Sequence, residues 1–438
     1  MSALRYRADI DGLRSIAVLP VVAFHFGIAA APGGFVGVDV FFVISGYLIT
    51  SIIARECAEG RFSLLDFYER RARRILPALF AMIAAVVVIG WFLFLPREFF
   101  DLAKSVGAAT VFLANVLFYL SAGYFDAASY TKPLLHTWSL GIEEQFYIVI
   151  PLLFMALAWM GWKATAWIAA ITVASLALSV ATTEAMPQAA YYLLPWRAWE
   201  LGLGALLALG VAPPLRTAAA REAAAAIGVV LILGAVVLLD KSVPFPGWAA
   251  LAPCLGAALL IHAGAGGTTR VGAVLASAVP VWIGKLSYSL YLWHWPVVVF
   301  FVYREMRMPT LVEAAVLFAV SLALAFASLK LVEQPFRRPS GGRGRLALFA
   351  GCAVAAGVLL AASGAMHLGG GFPGRLSAEA VALDAYRDDR DPRYGACVTG
   401  KKTPEDWADP CLYGAGGAAS TSAPTIAPTI ALWGDSHA

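Results

Sequence analysis

The sequence has 438 residues, 60% of them hydrophobic and 14% charged, with a mean hydropathy of +0.75. Soluble domains run at about 45–50% apolar and about 25% charged, so this composition excludes an ordinary water-soluble fold and predicts an all-α polytopic membrane protein. A net charge of +4, held in short loops between apolar runs, excludes nucleic acid as a partner.

From the N-terminus, "MSALRYRADI" is too polar and too short for a cleaved signal, so the first apolar run is expected to stay in the membrane. Apolar stretches able to cross roughly 30 Å of hydrocarbon fall at 13–30, 35–54, 76–95, 138–160, 165–183, 195–211, 223–240, 247–265, 282–303, 311–331 and 346–366. They predict about eleven transmembrane helices. The stretch 103–120 is interrupted by Lys104, Ser105 and Asn115. Eleven spans with a cytoplasmic N-terminus keep most Lys and Arg inside, whereas a twelfth would place "EQPFRRPSGGRGR" outside. The stretch is therefore read as a re-entrant or surface-lying helix.

Beyond residue 366 the chain turns polar and rich in Gly, Pro and Ser, and on this topology it lies outside the membrane. Cys397 and Cys411 share that segment and are expected to form a disulfide, which an oxidising compartment permits. Cys57, Cys254 and Cys352 lie in or beside spans, where a cysteine serves as a small buried hydrophobe.

Ionisable side chains inside spans are costly and mark functional sites by default. Arg14 and His25 are eleven residues apart, which is three turns plus about 20°, so they share one helix face about 16 Å apart. Arg14 sits at the cytoplasmic end, where snorkelling is the alternative; His25 sits in the outer half, where an interhelical hydrogen bond is the alternative. The short loop "AAPGG" predicts a tight hairpin that carries Asp39 close to the depth of His25. A carboxylate there could fix the tautomer of the imidazole and raise its basicity for general-base catalysis, or simply cap a helix start.

Arg70, Arg71, Arg73 and Arg74 crowd one turn of "FYERRARRILPA". Positive-inside topology accounts for them, and guanidinium forks also suit phosphate, a site that Arg14 would complete. In "LLHTWSLGIEEQFYIVIP", Ser139 and Glu143 fall at i, i+4 on one face in the outer third, with Glu144 on another face; a structural ion pair is the alternative for Glu143. Arg197 and Glu200, at i, i+3, read as an internal salt bridge. His294, beside Pro296 and near mid-membrane, is either catalytic support or a hydrogen-bonded packing residue. Cations thus gather inside and an imidazole with carboxylates towards the outside, as a device holding a phosphorylated donor in the cytoplasm would require.

The stretches "YRADIDGLRSIAVLPVVAFH", "GGFVGVDVFFVISGYLIT", "FYERRARRILPA", "PLLHTWSLGIEEQFY", "PWRAWELGLGALLA", "GKLSYSLYLWHWP" and "EQPFRR" follow in an order that resembles the acyltransferase type 3 family of integral-membrane O-acyltransferases. The resemblance covers about 1–340. It implies a ten-helix core over 1–340, a linking transmembrane helix at 341–370 and an extracytoplasmic segment at 371–438, in a multi-pass protein of the bacterial inner membrane. It also implies an acyl group, usually acetyl, taken from cytoplasmic acyl-CoA to hydroxyls of an outside glycan such as O-antigen, peptidoglycan or exopolysaccharide, with no metal. His25 is carried over as catalytic base or acyl carrier and Arg14 as its motif partner; Glu143, Arg197, Glu200 and His294 occupy matching positions.

The closing "IALWGDSHA" is similar to the first block of SGNH-type hydrolase or transacetylase domains, in which Ser436 would be the nucleophile. The activating Asp and His of that class belong to a later block, so the expectation is a fused extracytoplasmic α/β domain of which only the start is present, with Ser436 lacking its triad. Two other functions compete: a transporter or flippase of lipid-linked sugars, and an acyl-relay subunit serving a separate acceptor enzyme.

Overall fold

A long apolar helix needs no partner for its backbone in hydrocarbon, and the computed structural model, which describes residues 6–122, 129–337 and 342–385, is built of helices with no strand among the described residues. In chain order they are α1 Ala8–His25, α2 Gly37–Ala58, α3 Leu64–Leu93, α4 Pro96–Thr110, α5 Ala114–Ser121, α6 Thr137–Trp159, α7 Ala164–Thr182, α8 Pro187–Tyr192, α9 Leu194–Ala208, α10 Ala218–Leu238, α11 Leu251–Ala265, α12 Arg270–Leu275, α13 Ala278–Glu305, α14 Leu311–Ala327, α15 Gln334–Phe336 and α16 Gly342–Leu368.

Every expected span lies on a helix, but eight helices among the described residues are long and apolar enough to cross a membrane. The other three differ for physical reasons. α1 carries Asp9, Asp11 and Arg14 within its 18 residues, while α9 and α11 have 15 residues each, or about 22 Å, which is short of the roughly 30 Å core. The doubtful stretch 103–120 is two helices, α4 and α5, separated by Phe112 in the left-handed region at φ 58°. α4 carries Arg97, Glu98, Asp101 and Lys104 within its 15 residues and α5 has 8 residues, so neither is both long and apolar enough to cross.

Close helix contacts rest on glycine. Gly46 on α2 and Gly204 on α9 lie so near the Leu201 and Val43 carbonyls that a Cβ on either would collide with backbone. Small residues at such crossings let helices approach to backbone contact, and this crossing brings Arg197 of α9 to Asp39 of α2. Gly284 on α13 packs likewise against the Asp11 carbonyl of α1, which fixes the register between the helices bearing His25 and His294. The chain from Ser328 to Glu333 makes a π-helical turn, where Glu333 accepts hydrogen bonds from Ser289 and Arg337.

The contacts divide the chain at Phe372. The second unit is described only to residue 385, as a 3₁₀ turn at Pro373–Arg375 and a helix, α17, at Ala378–Ala385. Cys397, Cys411 and Ser436 lie outside the described residues. Among the other cysteines Cys254 is buried as expected, whereas Cys57 is exposed.

Candidate active site

His25 is the last residue of α1, and its Nδ1 lies 2.9 Å from Nε2 of His294 on α13. His294 Nδ1 lies 3.1 Å from the Leu290 carbonyl oxygen. A carbonyl only accepts, so His294 Nδ1–H donates to it and His294 Nε2 is left as the acceptor for His25 Nδ1–H. That chain fixes both tautomers and leaves the lone pair of His25 on Nε2. Tyr130 donates its hydroxyl to the His25 carbonyl at 3.1 Å, and the Trp295 ring meets the imidazole edge-on at 4.6 Å. The ring is thus held by His294 and Trp295 and its backbone by Tyr130, and it lines a cavity of about 640 Å³ with His136, Trp138, Tyr191, Lys241 and Tyr291 among its walls.

A second cavity, of about 230 Å³, is walled by Arg14 of α1, Ser45 of α2, Arg71 and Arg74 of α3, and Glu143, Glu144 and Tyr147 of α6. Ser45 donates to Glu143 at 2.9 Å. Arg71 Nε and Glu144 Oε1 are buried with no partner, so the charge of this cavity is not fully spent within the protein. Val38 and Tyr291 line both cavities and stand between them. At the junction the Tyr291 hydroxyl bonds to Ser139 Oγ at 2.7 Å and donates to the His136 carbonyl at 3.0 Å.

Residues 7–330 match the family model described as the acyltransferase domain. The chain belongs to this acyltransferase family. The candidate peptidoglycan O-acetyltransferase YrhL of Bacillus subtilis is 32% identical over 353 residues, covering 76% of this chain and 55% of YrhL. The peptidoglycan O-acetyltransferase OatA of Listeria monocytogenes is 30% identical over 353 residues, covering 76% and 56% of the two chains. The candidate membrane-bound transacylase BcsY of Komagataeibacter xylinus is 37% identical over 296 residues, covering 67% and 73%. This chain thus spans about half the length of YrhL and OatA. No solved structure matches it.

Within the acyltransferase domain several residues stand where the sequence did not put them. Asp39 does not reach His25. Its Oδ1 accepts from Arg197 Nη1 at 2.7 Å, and the same nitrogen donates to Glu200 at 2.7 Å; all three side chains are at most 1% exposed. The Arg197–Glu200 bridge is present as expected, and Asp39 joins it because a buried guanidinium attracts every carboxylate within reach, whereas a neutral imidazole offers one bond already given to His294. Glu143 lies in the cavity of Arg14 and Arg74 and not beside His25, and Glu144 lies there too, since this cavity is wide enough to take both faces of α6. The arginine cluster splits by face. Arg71 and Arg74 line the cavity, whereas Arg70 donates twice to Glu56 at 3.0 and 2.9 Å and Arg73 donates to Glu69 at 2.9 Å.

His136 and Tyr291 escaped the sequence analysis. His136 precedes the first turn of α6, outside any helical periodicity, and Tyr291 reads as one aromatic among many; the only available signal was their position within "PLLHTWSL" and "SLYLWHWP". Asp39, Glu200 and Cys254 place ligand atoms within 4.8 Å of one another, and Arg197 already supplies the cation of that cluster.

Proposed function

We propose that the protein transfers an acetyl group from cytoplasmic acyl-CoA to a hydroxyl of an extracytoplasmic glycan, with His25 Nε2 as the catalytic base. The observation that carries this is the pair of unlike cavities that share Val38 and Tyr291 as a wall, one lined by guanidinium groups and the other by imidazoles. The phosphates of the donor would bind Arg14, Arg71 and Arg74, as guanidinium forks suit phosphate, while the narrow pantetheine arm passes Tyr291 and offers its thioester to His25. The relatives YrhL and OatA, described as peptidoglycan O-acetyltransferases, support acetyl as the group and peptidoglycan as one acceptor class. We place α1, α9 and α11 in the membrane with the eight longer spans, the N-terminus inside and residues 371–438 outside. The division at 1–340, 341–370 and 371–438 belongs to the same proposal, as does a role for Ser436 and a Cys397–Cys411 disulfide in the outer segment.

The test is incubation of the purified full chain with labelled acetyl-CoA. Thioester cleavage that His25→Ala abolishes, with membrane insertion intact, is the expected result; cleavage retained in His25→Ala, or absent from the wild type, rejects the proposal.

A further inference from the structure

The outer cavity is larger than the end of an acyl thioester needs. At about 640 Å³ it falls in the range of pockets that enclose a whole small ligand. Its walls are largely aromatic. Phe24, Phe35 and Phe245 meet edge to face, with ring centres 5.3 and 4.8 Å apart, and Trp138, Tyr191 and Tyr192 form a second set at 4.7 and 5.0 Å. The Arg197 guanidinium lies 5.2 Å from the Phe245 ring and 5.4 Å from those of Trp138 and Tyr191, so one buried cation ties the two sets together. The exposed polar lining comes from two segments, Glu184 and Gln188 after α7, and Asp240, Lys241 and Ser242 after α10. Asp240 accepts from Ser242, and the Lys241 ammonium sits 5.2 Å from the centre of the Phe24 ring. Glu184 and Gln188 remain as the groups of that lining free to meet a ligand.

A lipid chain would suit the aromatic walls, but the carboxylates beside them call for hydroxyl donors. A hexopyranose offers both: C–H groups on the faces of its ring pack on aromatic rings, and hydroxyls around its edge donate to a carboxylate or pair with an amide. We infer that the outer cavity seats the acceptor as a hexopyranose unit of a glycan, held by the aromatic walls and by hydrogen bonds from its hydroxyls to Glu184 and Gln188. The inference rests on the acyl-transfer function proposed above and adds the place and class of the acceptor. His25 lines the same cavity, so a hydroxyl of the seated sugar is brought to the proposed base.

Saturation-transfer NMR on the full chain in nanodiscs, with chitotetraose as the probe and acetyl-CoA left out, reads the Kd of this site by itself. Wild type is expected to bind. Loss of a hydrogen bond to a charged group should raise Kd about 10–100-fold in Glu184→Ala, and loss of a neutral one about fivefold in Gln188→Ala. Glu184→Gln, which still accepts from a hydroxyl, should fall between wild type and Glu184→Ala. Glu305→Ala, at the end of α13 and outside the cavity lining, should bind as wild type does. A Kd of Glu184→Ala within about twofold of wild type overturns the inference, as does a wild type that gives no saturation transfer or an equal rise in Glu305→Ala. A wild type that binds chitotetraose yet cleaves no acetyl-CoA leaves the saccharide site standing and overturns the acyl-transfer proposal instead.

Discussion

Two clusters of arginine and carboxylate lie buried in the same bundle, and they are built in opposite ways. Around Arg197 a single nitrogen bridges Asp39 and Glu200 at 2.7 Å each, and the group is packed on by Phe42, Trp138, Tyr191 and Phe245 at 5.2–5.9 Å. Both clusters leave buried atoms without partners, Asp39 Oδ2 and Glu200 Oε2 in the first and Arg71 Nε and Glu144 Oε1 in the second, but only around Arg14, Arg71 and Arg74 do the charged side chains wall an open volume. The first cluster spends its charge on holding α2 to α9. The second keeps its charge available. Composition does not separate a structural ion cluster from a binding site; the separation lies in whether the charges find each other or face a cavity.

The sharpest way to break this contrast is to remove Arg197. Arg197→Met leaves two buried carboxylates without a cation and is expected to destabilise the fold by about 3–5 kcal/mol, read as loss of folded protein and a lowered thermal midpoint in detergent. A midpoint equal to wild type would show that the cluster does not hold the helices together. In the open cluster the loss should appear in binding. Charge-assisted hydrogen bonds contribute about 1.5–3 kcal/mol, so Arg71→Gln or Arg74→Gln should raise KM for acetyl-CoA by about 10–100-fold with stability little changed. Arg70→Gln serves as the control, since Arg70 is bonded to Glu56 with 42% of its side chain exposed, and pairs of that kind contribute about 0–1 kcal/mol. A KM shift as large in Arg70→Gln as in Arg71→Gln would undo the division of the arginines by face.

Smaller effects are expected where a residue acts through a neighbour. His294→Ala removes one neutral hydrogen bond, worth about 1 kcal/mol, from the tautomer of His25, and should lower kcat by about fivefold while a Gln at the same place restores part of it. The smallest effect concerns the loop after α10, where Asp240 accepts from the Ser242 amide at 2.8 Å and hydroxyl at 2.5 Å. These bonds hold its carboxyl below the usual carboxylate range. A folded pKa below the unfolded one means stabilisation present above the usual carboxylate range and lost as pH falls through the lowered value. Limited proteolysis of this loop should therefore increase on acidification in the wild type and change little with pH in Asp240→Ala.

Much of the fold was legible because hydrophobic length is a local property: the eleven apolar stretches all lie on helices, and the doubtful stretch 103–120 is broken, though at Phe112 and not at Lys104, Ser105 or Asn115. Arg14 and His25 were also legible, since a charge and an imidazole inside one apolar helix declare themselves by their cost. Pairing was not. Asp39 meets Arg197 across 158 residues of sequence, through a crossing set by Gly46 and Gly204, and depth along a hairpin cannot foretell which third helix intrudes. Which of the four arginines face inward depends likewise on where α6 and α13 stand, and His136 became visible only once its place in the wall of the outer cavity was known.

The central claim is that the two cavities form one path for a donor, with the thioester delivered to His25 Nε2. A cryo-EM structure of the full chain with a non-hydrolysable acetyl-CoA analogue tests it most directly. The account predicts phosphates at Arg14, Arg71 and Arg74, the pantetheine arm between Val38 and Tyr291, and the carbonyl carbon within contact of His25 Nε2. An analogue bound elsewhere, or one whose arm stops short of Tyr291, would contradict it.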